Sequence, residues 1–103
     1  MKTYIDEINE RIKFVKSVTE KSAPLYKYIE DFGLVPPAEN ALKDMLFYIL
    51  DSVFSGQILS ADYMALDLVA IVNILPIPAE KKEQFAADVK ELRQLFNHEM
   101  IIW

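Results

Sequence analysis

Apolar residues recur at helical spacing along most of the chain. Ile5, Ile8, Ile12 and Val15 follow a 3, 4, 3 rhythm broadened by Tyr4, Phe14 and Val18, while Asp6, Glu7, Glu10, Lys13 and Lys16 take the other side. The pattern predicts an amphipathic helix over residues 3–21 with this stripe as its buried face. Thr3 is placed to cap it, Asp6 stands where a carboxylate meets the positive helix end, and Glu7 and Arg11 form an i,i+4 pair. Leu25, Tyr28, Ile29 and Phe32 predict a short second helix over 24–32, opened at Ser22 or Ala23 with Pro24 in its first turn and closed by Gly33. Pro36 and Pro37 open a third over 38–54, in which Leu42, Met45, Leu46, Ile49 and Val53 share a face. Beyond Gly56, Ser60 is expected to cap a fourth helix over 61–75, where only Asp67 and Asn73 interrupt the apolar run from Tyr63 to Leu75. This helix and the one over 38–54 are expected to form the centre of the bundle. Pro76-Ile77-Pro78 break it, and Phe85, Val89, Leu92 and Phe96 set the rhythm of a fifth over 79–100.

No alternating run bounded by turn signals occurs, and no segment repeats. The chain therefore reads as all-α: a single compact bundle of about five helices with short Pro/Gly-marked connections, one domain over 1–103. Its 103 residues, 52% of them hydrophobic, suffice for a core without disulfide or metal staples.

Composition removes whole classes of chemistry. With no Cys there is no disulfide framework, cysteine zinc site or thiol nucleophile, and with one His every site that needs two imidazoles is gone. A net charge of −5 and a pI near 4.8 disfavour direct binding to a phosphate backbone. The N-terminal residues turn acidic at Asp6, before an export signal could form, so a cytoplasmic protein is expected. Residues 45–75 are the most apolar block, but Asp51, Asp62 and Asp67 would each cost about 2.5–3.5 kcal/mol near the middle of a bilayer. Each arm is also shorter than the roughly 20 residues a span needs, so no membrane span is expected.

The stretch Asp51 to Asp62 resembles a degenerate EF-hand loop, with acids at places one and twelve, Gly56 at six and Ile58 at eight. Val53 and Leu59 occupy ligand places, which leaves Asp51, Ser55 and Asp62, too few side-chain oxygens for calcium. The helix, Gly turn and Ser-opened helix also loosely resemble the tellurite-resistance TerB-like domains, without their acidic cluster. Neither family is assigned, and the stretch is read as a helix corner that turns on Gly56.

Several side chains are candidates for function. Asp67 lies among Tyr63, Met64, Ala70 and Ile71, so it either faces water on a narrow strip or is buried and needs a neutralising partner. His98 beside Glu99 lacks the positioned partner and cleft of a general base. The apolar end Met100, Ile101, Ile102 and Trp103 either folds back on the bundle or docks into another molecule. Five tyrosines, among them Tyr26, Tyr28, Tyr48 and Tyr63, combine an apolar body with a wet tip, as partner surfaces do.

The expectation is a small, acidic, non-enzymatic interaction protein that binds, inhibits or regulates a larger protein, in the manner of immunity, inhibitor or accessory factors. The alternative is a bundle that encloses a lipid-like or flat aromatic ligand. Candidate partner-binding residues are Tyr48, Tyr63, Asp67, Met100, Ile101, Ile102 and Trp103, and no catalytic residue, metal or cofactor is assigned. The expected partner is another protein, a second copy of the chain, or both.

Overall fold

The computed structural model describes the backbone of residues 3–102 and the side chains of residues 3–97. Within these, the chain forms four α-helices: α1 (Tyr4–Asp31), α2 (Pro36–Phe54), α3 (Ile58–Ile74) and α4 (Ala79–Ile102). They pack in a ring, α1 on α2, α2 on α3, α3 on α4 and α4 on α1, as an antiparallel bundle measuring 52 × 20 × 20 Å.

Four helices replace the expected five because α1 runs straight through Pro24. Proline withdraws one amide and crowds the preceding turn, a local cost of about 3 kcal/mol. Here Pro24 is exposed, and the side chains on either side of it stay in register: Phe14, Val18, Ser22, Leu25 and Ile29 are all buried along one line. Continuous burial on both sides of the proline outweighs the local defect. Ser22, the buried polar residue of this line, donates its hydroxyl to the Thr19 carbonyl at 3.1 Å, and Thr19 donates to Val15 at 2.8 Å.

The helix ends follow local chemistry. Thr3 and Asp6 form a reciprocal capping box at the start of α1, each side chain accepting the other residue's amide at 3.2 Å. Gly33 and Gly56 adopt φ of +71° and +82°, a region that other residues enter at a cost, and they terminate α1 and α2. Pro36 opens α2 at its first position. The expected Ser60 cap is not used: α3 starts at Ile58 after Gln57, because burial of Ile58 (5% exposed) draws the first turn forward. None of α1, α2 and α3 carries a basic residue in its own last turn. Instead Lys81 and Lys82 of α4 donate to the carbonyls of Asp31 and Asn73, each at 2.7 Å, placing cations at the negative ends of α1 and α3.

The core draws on all four helices, including Leu25 and Ile29 of α1, Leu46 and Ile49 of α2, Leu68 and Val72 of α3, and Phe85 and Phe96 of α4. Phe32, just past α1, sets its ring edge-on to Phe85 at 5.5 Å. Two expectations are corrected. The Ile5, Ile8, Ile12, Val15 stripe is exposed rather than buried, and α2 and α3 are not central: they are two of four staves in a ring, each with its outer face in solvent. Among the described residues no helix is long and apolar enough to cross a membrane.

Candidate functional site

The α2–α3 hairpin carries the surface with most binding character. Its inner face, from Leu42 to Val53 and from Ile58 to Val72, is spent on the core. Because α3 is apolar nearly all round, a second stripe is left outside: Leu59, Tyr63, Leu66 and Ile74 are 56%, 61%, 43% and 82% exposed. On α2, Phe47, Tyr48 and Phe54 are likewise exposed, and the Phe47 and Tyr48 rings meet edge to face at 5.9 Å. Large rigid side chains already ordered at a surface bind with little further loss of conformational freedom.

Charge is concentrated on the same hairpin. Residues 36–74 hold five carboxylates, Glu39, Asp44, Asp51, Asp62 and Asp67, against the single cation Lys43. Lys43 is turned away from a partner's use: its ammonium meets Glu30 of α1 at 3.0 Å and Glu39 at 3.6 Å. The hydrogen bond to Glu30, more than the burial that opposes it, raises the Lys43 pKa. Asp44, Asp51 and Asp67 remain exposed around the aromatic surface.

Asp67 therefore lies on the solvent strip, not in the core. Tyr48 and Tyr63 stand exposed on the hairpin beside it, whereas Tyr26 and Tyr28 of α1 are half-buried against the core. Burial raises the Tyr26 pKa. The Tyr28 pKa is raised chiefly by its hydrogen bond to Asp88, then by burial and the charge of Asp88, against a smaller lowering by Gln84, whose side-chain amide donates to the phenol oxygen at 3.1 Å. Tyr28 is thus a strut between α1 and α4. Met100, Ile101, Ile102 and Trp103, like His98 and Glu99, lie outside the described side chains.

The corner resembling a calcium loop is committed elsewhere. Asp62, its twelfth place, receives both Nε (2.8 Å) and Nη2 (3.2 Å) of Arg93 in a forked pair that clamps α3 to α4. That hydrogen bond raises the Arg93 pKa against the opposing effect of burial. Sequence reasoning missed this pair because its members are 31 residues apart. It set Phe47 and Phe54 off the shared face of their helix but did not single out Leu59 and Leu66 as surface residues. The available signal was the second 4, 3 spacing of Leu59, Tyr63 and Leu66, offset from the Ala61, Ala65, Leu68 line. Compared with known proteins, the chain matches no family model, no curated relative and no solved structure.

Proposed function

We propose that the protein is a non-enzymatic binding protein that docks the outer face of its α2–α3 hairpin on a larger protein, acting as an inhibitor, regulator or accessory factor in the cytoplasm. The observation that carries this reading is the coincidence of exposed Tyr48 and Tyr63 with four of the chain's five net negative charges on one hairpin, with Phe47 exposed on its α1 edge and Leu66 on its α4 edge. Aromatic anchors supply desolvated contact area, and a carboxylate rim selects a partner with a basic surround and speeds encounter with it.

The test is affinity capture from the source cell with the intact chain and with a Tyr48→Ala, Tyr63→Ala double variant. Both residues are 61% exposed, so the variant keeps its fold, verified by circular dichroism. A stoichiometric partner retained by the natural chain and lost by the variant is the expected result. A partner bound equally by both, or no partner at all, overturns the reading.

A further inference from the structure

The long helices α1 and α4 outrun the α2–α3 hairpin at one end of the bundle. Counting along the antiparallel helices from the Lys43–Glu30 pair, Phe54 at the end of α2 lies level with Thr19 of α1. From the Lys21–Glu91 pair, the end of α4 lies level with Glu10. Among the described residues, α1 before Thr19 thus has no α2 beside it, and this is where Ile5, Ile8, Ile12 and Val15 stand 68%, 38%, 51% and 42% exposed. The helical register puts Ile8, Ile12 and Val15 on the same flank as Tyr26 and Glu30, the flank that α2 covers further along. The stripe is therefore a core face whose covering helix stops short.

Two features of this segment identify what covers it. Its 3, 4, 3 spacing is symmetric about Glu10, so a second α1 laid antiparallel across it sets Ile8 against Ile12 twice and Ile5 against Val15 twice. Direction follows from α2, which occupies this flank from Thr19 onward: parallel apposition would drive the two copies' α2 helices into one another, whereas antiparallel apposition keeps them at opposite ends. We infer that the protein forms a two-fold dimer in which the N-terminal half of α1 packs antiparallel on the same segment of a second copy.

The geometry closes. Thr3 of the second copy arrives level with Ser17, just short of the end of α2, so the incoming helix continues the line of α2 and brings its Tyr4 towards Phe54, which is 48% exposed. The stripe with Tyr4 and Phe54 exposes on the order of 600 Å², taking about 150–250 Å² for a large side chain. A standard interface uses about 800 Å² per partner, so this dimer is weak and concentration-dependent. It draws on Phe54 of α2 but leaves Tyr48 and Tyr63 free, and it does not rest on the function proposed above.

Sedimentation equilibrium tests it. The intact chain shifts from 11.9 kDa towards twice that mass as concentration rises, and an Ile8→Glu, Ile12→Glu double variant, altered only at exposed positions, dimerises at least about tenfold more weakly with unchanged helical signal. Because the chain has no cysteine, single Ile8→Cys and Ile12→Cys chains report direction. Mixed together and oxidised, they cross-link to each other in preference to themselves. A monomer throughout the concentration range, a dimer indifferent to the glutamates, or preferential cross-linking of like variants would each overturn the inference.

Discussion

Two leucines two residues apart on α3 distinguish a four-stave bundle from one in which α3 is wrapped on all sides. Leu68 is fully buried against the facing helices, whereas Leu66 is 43% exposed beside the α3–α4 groove. Truncating Leu68 to Ala removes buried carbons and leaves a cavity that close packing cannot collapse, at a cost of about 3–4 kcal/mol. Leu66→Ala removes the same atoms, but nearly half their surface already meets water and the gap opens to solvent. At about 0.8 kcal/mol per buried methylene and with no cavity contribution, the loss is about 1 kcal/mol. Urea unfolding followed by circular dichroism at low protein concentration measures both, provided the slope with denaturant stays unchanged. In a domain of this size, roughly 4–8 °C per kcal/mol translates these values into a melting-point fall of about 15–25 °C for Leu68→Ala and about 5 °C for Leu66→Ala. Equal losses at the two positions would refute the placement of α3 and, with it, the exposed hairpin face.

Other consequences are as direct. Arg93→Met breaks the forked, partly buried pair with Asp62 and costs about 1–2 kcal/mol in urea unfolding, whereas Lys21→Met, which breaks a pair more than half exposed on average, costs under about 0.5 kcal/mol. Tyr28 has a folded-state pKa above its ordinary 10.0, so the neutral phenol is favoured: its contribution is complete below pH 10 and is lost as pH rises through the higher folded value. Tyr28→Phe consequently flattens the alkaline fall of stability, seen by repeating the unfolding on both sides of pH 10; an identical fall in the variant would remove Tyr28 from the account. Pro24→Ala restores an amide in the middle of α1 at an exposed position and stabilises the fold by about 2 kcal/mol once the greater freedom of the unfolded chain is subtracted, read as a rise in melting temperature.

Much of the fold was legible before any coordinates. The all-α class follows from the spacing, and Thr3 with Asp6, Gly33, Pro36, Gly56 and the Pro76–Pro78 break mark ends that the structure uses, because caps, positive φ and missing amides act within a few residues of themselves. Pro24 misled for the complementary reason. Its local cost is real, but the decision to continue α1 was made by Phe14, Val18, Ser22, Leu25 and Ile29 meeting other helices along one line.

The candidate site divides in the same way. That α3 had too few polar residues for an exposed helix was plain from Tyr63 to Leu75, and so was the pull of Tyr48 and Tyr63 towards a surface role. Whether Asp67 met water, and which partner would hold Asp62, depended on α4 arriving from 31 residues away with Arg93. The first half of α1 is the sharpest case. By composition Ile5, Ile8, Ile12 and Val15 are as fit for burial as Phe14 and Val18, and the periodicity of the chain merged the two lines into one expected buried face. Burial requires a neighbour at the same height. At about 1.5 Å per residue, the 28 residues of α1 span about 42 Å while the 19 of α2 span about 28 Å. That mismatch in length, set by where Gly56 turns the chain, left one line in the core and the other in water.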